Sequence, residues 1–368
     1  MENAAARHNS LYDQAKRVRM TSIAHTWGES LDEQQQVLTA LYRTMVRIRA
    51  FEDAAEDASQ GGVAVYGQAT SGRAKVRGPL HLSTGQEAVA AGVCAHLTAN
   101  DYITSTHRGH GHTLAKGADM TRMMCELFGK AHGFNGGRGG SMHIADFSVG
   151  MLGANGVVGA GMPIAVGAAH AQKIQGRPDI TACFFGDGAI NRGPFLESLN
   201  WAQVYRLPVL FVCEDNQWSA TTATSAMSAG AGAAARARSM DIEAVEVDGN
   251  DVLAVYRAAQ ELVNSVRKGD GPKLLHTRTY RVKGHVSVDK AAYRNPSEVE
   301  QALARCPIKK ARALYLTMPG ARADVLDQIE ADAQAEIEAA LAYADACDPP
   351  DPETAYTHIQ TVGAGQWH

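Results

Sequence analysis

The sequence has six cysteines, and no two of them form a Cys-x-x-Cys pair. That absence removes the common zinc and thioredoxin-like readings and leaves no disulfide framework. Cys183 and Cys213 instead fall inside apolar runs that read as core strands, as expected of buried thiols in a reducing cytoplasm. Charge of one sign is also lacking. A formal net charge of −4 over 368 residues offers no basic surface for nucleic acid. Met1 to Thr26 is polar and holds no apolar core segment, so no secretory signal is visible and a cytoplasmic protein is expected. Phe147 to Gln172 contains no Asp, Glu, Lys or Arg, but Gly150, Gly153, Gly156, Gly159, Gly161, Gly167 and Pro163 interrupt it. A membrane span is more uniformly apolar. The stretch reads as a Gly-rich loop entering a buried helix of small residues, and no membrane is expected. Internal repeats and an obvious linker are absent too. The chain divides most simply into an N-terminal extension (1–33), an α/β domain (34–295) and a helical C-terminal region of that same domain (296–368).

Residues 180–218 carry the chemistry. Ile180 to Phe185 is a short run of β-formers that stops at Gly186-Asp187-Gly188, and Leu207 to Cys213 is a second that stops at Glu214-Asp215-Asn216. Between them Phe195, Leu196, Leu199, Ala202 and Val204 recur at helical spacing. Strand, helix and strand make a βαβ unit with a right-handed crossover. The fold class is therefore α/β, a doubly wound and mainly parallel sheet flanked by helices. Both polar clusters then lie at the carboxyl ends of neighbouring strands, where such sheets bind ligands. Asp187 and Asn216 stand 29 positions apart. Their hard oxygens suit Mg²⁺, which usually keeps substrate phosphates among its ligands. Gly186 and Gly188 let the backbone approach a phosphate, and the following helix N-terminus favours the same anion. The second Gly-Asp-Gly, at Gly269-Asp270-Gly271, precedes a strand and is followed by Pro272, so it reads as a turn.

Elsewhere the pattern predicts a first helix over Leu31 to Asp57, a long exposed loop over Ser59 to Pro79, and a capping box at Thr84-Gly85-Gln86-Glu87 before a helix through Leu97. Tyr102 to Thr104 is expected to be a short strand, running into a loop with His107, Arg108, His110 and His112. No carboxylate or thiol is interleaved there, so zinc is disfavoured, and Arg108 reads as a planar phosphate fork. Gly136 to His143 and Thr221 to Ala235 are expected to be flexible loops. Residues 286–294 are expected to form a loop over the active edge. Ser297 with Glu300 reads as a cap, and Ala321 to Ala344 as a helix on the outside of the sheet.

Five ordered strings resemble one family: His81-Leu82-Ser83-Thr84-Gly85-Gln86-Glu87-Ala88, Ser105 to His112, Gly139-Gly140-Ser141-Met142-His143, Gly153 to Gly159, and the Gly-Asp-Gly to Asn216 unit. Together they resemble the thiamine diphosphate-dependent alpha subunit of the decarboxylating component of 2-oxoacid dehydrogenase complexes, and most of all the acetoin dehydrogenase type. The resemblance implies that Asp187, Asn216 and the Trp218 carbonyl hold Mg²⁺. It implies that Gly186, Gly188 and Ala189 line the diphosphate, with Arg108 and His285 reaching its oxygens, and that Gly156 and Val158 contact the aminopyrimidine. His107 and His285 would edge the substrate channel as the catalytic histidines. A separate beta chain would supply the activating glutamate in a heterotetramer of two alpha and two beta chains, and a lipoyl acyltransferase would accept the fragment from a small carbonyl substrate. Pyruvate or branched-chain 2-oxoacid dehydrogenase, or a stand-alone lyase or ligase, are the alternatives. Val286 stands where mammalian pyruvate enzymes carry a phosphorylated serine, so that control is not expected.

A non-catalytic scaffold would have no need of both Asp187 and Asn216. A dinucleotide-binding oxidoreductase would want Gly-x-Gly-x-x-Gly after an early strand, and the glycines at 156–161 have the wrong spacing.

Overall fold

The computed structural model describes residues 30–60, 74–76 and 78–357. Most of the expected N-terminal extension and of the 59–79 loop lies outside them. Helix α1 (Leu31–Ser59) starts at a capping box, in which the Ser30 hydroxyl accepts from the Glu33 amide at 3.2 Å and the Ser30 amide donates to the Glu33 carboxylate at 3.1 Å. Its buried stripe, Leu38, Leu41, Met45, Ile48 and Phe51, follows the spacing of one helix face.

Helix α2 (Glu87–Cys94) departs from expectation. Its N-cap is Gln86, which makes no side-chain cap, and the Thr84 hydroxyl is buried without a partner. The Glu87 carboxylate accepts instead from Arg49 Nε at 2.6 Å and the Gly85 amide at 3.0 Å. A charged partner on α1 outcompetes the local cap.

Strand β1 (Tyr102–Thr104) leads into helix α3 (His110–Ala115), where a loop was expected, and then helix α4 (Met120–Leu127). After β2 (Met151–Gly153) come helix α5 (Gly161–Ile174), β3 (Thr181–Gly186), helix α6 (Gly193–Val204) and β4 (Val209–Asp215). A two-stranded ribbon follows, β5 (Trp218–Ser219) with β6 (Thr222–Ala223), then the short helices α7 (Thr224–Met227) and α8 (Gly232–Arg238). The small-residue run expected to be a mobile loop is thus structured, with Ala233, Ala234 and Ala237 buried against the sheet. Strand β7 (Glu243–Asp248), helix α9 (Val252–Arg267) and β8 (Lys273–Arg278) complete the sheet. Gly269 and Gly271, both at φ +88°, form the turn expected between α9 and β8. Helices α10 (Pro296–Ala304), α11 (Pro307–Leu316) and α12 (Ala323–Ala346) follow. The cap of α10 is Asn295, accepting from the Ser297 amide at 3.1 Å, and not the expected Ser297.

The sheet order is β2-β1-β3-β4-β8-β7, with all neighbours parallel. Alternation along β3 and β4 feeds two cores. Ala182, Phe184, Leu210 and Val212 pack with Val255, Ala259 and Leu262 of α9, whereas Cys183, Phe185, Phe211 and Cys213 pack with Ala165 and Ala169 of α5 and Phe195 and Leu199 of α6. Helices therefore cover both faces, as a doubly wound parallel sheet requires. Helix α12 rests on α1 and α4 and not on the sheet: Leu326, Ile329 and Ala333 meet Leu38, Leu41 and Met45. Among the described residues no helix is long and apolar enough to cross a membrane.

Two buried carboxylates tie distant segments together. Glu126 accepts from the amides of Asn135 (2.8 Å), Gly137 (2.9 Å), Gly139 (2.7 Å) and Gly140 (3.0 Å), so the glycine run expected to be flexible is held in place. Gly137 sits at φ +72°, and a Cβ there would lie 2.5 Å from the Gly129 carbonyl carbon, so only glycine fits. Asp101 accepts from Thr98 (2.7 and 2.9 Å), the Ile180 amide (2.8 Å) and both Arg267 terminal nitrogens (3.0 and 2.8 Å), joining the starts of β1 and β3 to the end of α9. Burial alone would raise the Asp101 pKa, but the bonds from Arg267, Ile180 and Thr98 outweigh it and hold the carboxyl below its usual range. Its stabilisation is present above the unfolded pKa of about 3.9 and is lost as pH falls through the lower folded value. Asp101→Asn should therefore destabilise the chain by about 3 kcal/mol at pH 7, measured by urea denaturation, with the difference shrinking below about pH 4. An unchanged midpoint at pH 7 would show that the pair contributes nothing.

Candidate functional site

The chain leaves β1 outward to β2 and leaves β3 in the opposite direction to β4, so the crevice between the carboxyl ends of β1 and β3 is the switch point of the sheet. A cavity of about 180 Å³ opens there. Gly186 pairs with Glu214 across β3 and β4, so Asp187 and Asp215-Asn216 emerge side by side.

Asp187 opens a 3₁₀ turn and is only 3% exposed. It accepts from the Thr224 hydroxyl. Burial, and next the negative charge of Asp215, push its pKa up to about 7, and the Arg281 guanidinium does not offset them. The Asn216 amide nitrogen donates to Gln86 Oε1 at 3.0 Å, and its oxygen accepts from the Trp218 amide at 3.2 Å. Gln217 (φ 70°) and Ala220 (φ 49°) flank Trp218 in the left-handed region, a conformation costing about 1–2 kcal/mol per residue. Arg281 is fully buried and gathers this turn: it donates to the carbonyls of Trp218 (3.3 Å) and Ala220 (2.7 Å).

The opposite wall is cationic and imidazole-rich. Arg108 donates to the carbonyls of Leu82 and His285, both at 2.9 Å, and its Nη2 lies 3.3 Å from His285 Nδ1. Burial, then repulsion from Arg281, lower its pKa to about 9, so it remains a cation at neutral pH. His81, His107 and His285 cluster beside it. Burial, followed by the Arg108 charge, depresses them to about 3, 2 and 4 respectively. All three rings are neutral at pH 7.

The residues singled out in the sequence are distributed as follows. Arg108, His107, Val158, Gly186, Asp187, Gly188, Ala189, Asn216, Trp218 and His285 line the cavity. Gly156 is outside its wall, exposed, with Met142 and His143 as its neighbours. The neighbouring histidines point elsewhere. His110 lies 3.1 Å from the Glu52 carboxylate and 2.9 Å from the Ser141 hydroxyl, while His112 lies 3.2 Å from Glu214 and 2.8 Å from the Ser105 hydroxyl. Sequence reasoning assigned no role to His81, Gln86, Thr224 or Arg281. The signals available were the family-like string His81 to Ala88, which holds His81 and Gln86, and the position of Arg281 just past a strand end.

The donor set fits a metal-diphosphate ligand. A buried carboxylate with no adequate counter-charge, beside an amide oxygen and a carbonyl, calls for a cation. An added Cβ at Gly186 would project into open space, leaving room against the backbone. At Gly188 it would lie 2.4 Å from the Ser219 hydroxyl, so that turn requires glycine. Facing them, Arg108 supplies a planar cationic fork.

The chain is similar to known proteins. The family model described as dehydrogenase E1 component matches residues 63–353. The chain belongs to that family. It is 43% identical over 326 residues to the alpha subunit of acetoin:2,6-dichlorophenolindophenol oxidoreductase of Bacillus subtilis, covering 89% of this chain and 93% of that protein. The protein of the same name from Cupriavidus necator is 40% identical over 341 residues, covering 92% and 99%. The pyruvate dehydrogenase E1 component subunit alpha of Porphyra purpurea is 38% identical over 314 residues, covering 83% and 88%. The chain is thus an alpha subunit of the dehydrogenase type that cleaves a carbon–carbon bond oxidatively, and membership of the family implies use of thiamine diphosphate.

The segment after β8 closes one side of the cavity through polar bonds. Asp289 accepts from the His285 amide (2.7 Å), the Ala291 amide (2.8 Å) and the Tyr293 hydroxyl (2.8 Å), and Arg294 donates to the Lys283 carbonyl at 2.8 Å. Asp289→Ala removes the hub of that loop. Limited proteolysis should then cut within 286–294 at least about tenfold faster, a loss of about 1.4 kcal/mol of local closure. Unchanged cutting would mean that Asp289 does not hold the loop.

Proposed function

We propose that the chain is the alpha subunit of an acetoin dehydrogenase-type enzyme, binding thiamine diphosphate through Mg²⁺ and acting with a beta chain. The observation that carries this reading is the pairing of two opposite walls, Asp187 with Asn216 against Arg108 with His285, at the switch point of the sheet. The choice of acetoin over a 2-oxoacid is supported by the two acetoin relatives, at 43% and 40% identity against 38% for a pyruvate enzyme. The free, mostly buried thiols suit a cytoplasmic setting.

In this reading the Asp187 carboxylate, the Asn216 amide oxygen and the Trp218 carbonyl hold Mg²⁺. The backbone at Gly186, Gly188 and Ala189 lies along the diphosphate, and Arg108 neutralises its charge with His285 alongside. Gly156 and Val158 offer backbone groups to the aminopyrimidine. When bound, thiamine diphosphate supplies a carbanion that adds to a carbonyl carbon. Gln86 and Arg281 orient the metal-binding turn. His107 and His285, neutral and half-buried, accept or return a proton at a substrate oxygen. An anion bound beside them raises their pKa values toward the range useful for proton transfer.

A partner is needed on two grounds. Among the described residues, the three glutamates weighed as the activating acid are placed otherwise: Glu87 is paired with Arg49, Glu214 with His112, and Glu197 lies exposed on α6. Helices α5 and α6 also present an apolar face with Ile164, Ile174, Leu196, Trp201 and Val204 exposed, Ile174 at 77%. Single exposed apolar residues are ordinary, but a contiguous patch marks an interface. A beta chain in a heterotetramer of two alpha and two beta chains covers that face, and a lipoyl acyltransferase is the acceptor component.

Asp187→Asn keeps the side-chain shape and removes the charge. The assembled enzyme should keep its fold and lose at least about a hundredfold in Mg²⁺-dependent thiamine diphosphate affinity by titration. Equal affinity would remove Asp187 from the site. The chain purified alone, with cofactor, Mg²⁺ and an artificial electron acceptor, should not cleave acetoin, and adding the beta chain should restore turnover. Full turnover by the chain alone would overturn the two-chain reading.

A further inference from the structure

Helices α4 and α12 pack together, and two thiols lie at their junction. Cys125 sits in α4 and is fully buried, while Cys347 ends α12 and is partly exposed. Both belong to one apolar cluster, and neither lines the cavity. The two thiols are hydrogen-bond partners. Lys130 holds their backbones together: its amide donates to the Cys125 carbonyl at 2.8 Å and its ammonium to the Cys347 carbonyl at 2.7 Å. The Ala131 amide adds a bond to the Asp348 carbonyl at 2.9 Å. The other cysteines have different surroundings. Cys94, Cys183 and Cys213 are buried among apolar side chains, and Cys306 lies 3.8 Å from Arg49 Nη2.

We propose that Cys125 and Cys347 form a redox-responsive dithiol, which hydrogen peroxide converts to a reversible disulfide that fastens the end of α12 to α4. Cys347 is the attacking thiol, because it is the partly exposed one. Its sulfur bonds to one peroxide oxygen, the O–O bond breaks, and the departing hydroxide takes the thiol proton and leaves as water. Cys125 then attacks the sulfenic acid on Cys347. An S–S bond forms, the S–O bond breaks, and hydroxide leaves with the Cys125 proton as a second water. Two electrons pass from the sulfur pair to the peroxide. Burial, and next the Cys347 thiol, push the Cys125 thiol up to about 11, so it is protonated at neutral pH and takes the resolving role. Disulfide sulfurs stand about 2.05 Å apart, and rotation of Cys347 closes the pair, since its backbone has already left the helix (φ −72°, ψ 144°). The two cysteines are 222 positions apart, so the bond constrains a long loop of the unfolded chain and stabilises the folded one. Cys125 also precedes Glu126, whose carboxylate holds the glycine run, so the lock acts at that junction. A transient, redox-sensing disulfide is compatible with a reducing cytoplasm. This inference concerns the two thiols alone and stands whether or not the chain acts on acetoin.

The test is treatment of the folded full-length chain with hydrogen peroxide, alkylation of the remaining thiols, and peptide mapping without reductant. A crosslinked Cys125–Cys347 peptide pair is expected in at least about tenfold excess over any other cysteine pair. Dithiothreitol should remove it. The urea midpoint of the oxidised chain should rise, and peroxide should produce no such rise in Cys347→Ser. In Cys125→Ala the crosslink should vanish and Cys347 should be trapped by dimedone as its sulfenic acid. Cys347→Ser carries the comparison if Cys125→Ala does not fold by circular dichroism. No crosslink in folded wild type would overturn the proposal, as would Cys347 oxidised to sulfinic acid with Cys125 still a free thiol. A crosslink that leaves the urea midpoint unchanged or lowered would overturn the lock.

Discussion

Strands β3 and β4 are buried on both faces, and that burial dictates where charge can sit. Every side chain from Thr181 to Phe185 and from Val209 to Cys213 lies against one of two helical layers. A charge placed within those spans would have to be desolvated without a partner, at a cost of several kcal/mol. The polar residues are therefore displaced to the carboxyl ends, where Asp187, Glu214 and Asn216 line the cavity. The acidic wall is a consequence of the apolar sheet beneath it.

The two walls complement each other electrostatically. Asp187 is destabilised as a carboxylate by burial and by Asp215, while Arg108 and the three histidines are destabilised as cations by burial and by one another. In the proposed reading, a ligand combining a dication with a polyanion would relieve both strains together, the metal at the acidic wall and the phosphates at the basic one. The left-handed residues beside Trp218 and the unpartnered His81 nitrogen belong to the same pattern. The strain of Gln217 and Ala220 is balanced by the packing of two cores and by hubs such as Asp101 and Glu126.

Features governed by local pattern were legible in the sequence. The alternation and helical spacing of residues 180–218 predicted strand, helix and strand, and the parallel sheet follows that order. The two Gly-Asp-Gly triplets were told apart by what stands before and after them. Local pattern misled where a distant partner intervened. Glu87 reads as a cap but is taken by Arg49, and Gly136 to Gly140 reads as loose but is bound by Glu126. Ala233, Ala234 and Ala237 belong to a run that looks like loop, and they pack against the sheet because their neighbours across it are large.

The sequence by itself determined the doubly wound class, the edge at which chemistry gathers, and the Asp187 and Asn216 pair, because strand periodicity and strand ends are properties of contiguous residues. Only the tertiary structure decided which of the histidines meet. His107, His110 and His112 are neighbours in the chain, yet only His107 joins His81 and His285, while His110 goes to Glu52 and His112 to Glu214. Helix α3 begins at His110 and turns successive side chains to different faces, so closeness in sequence became separation in space.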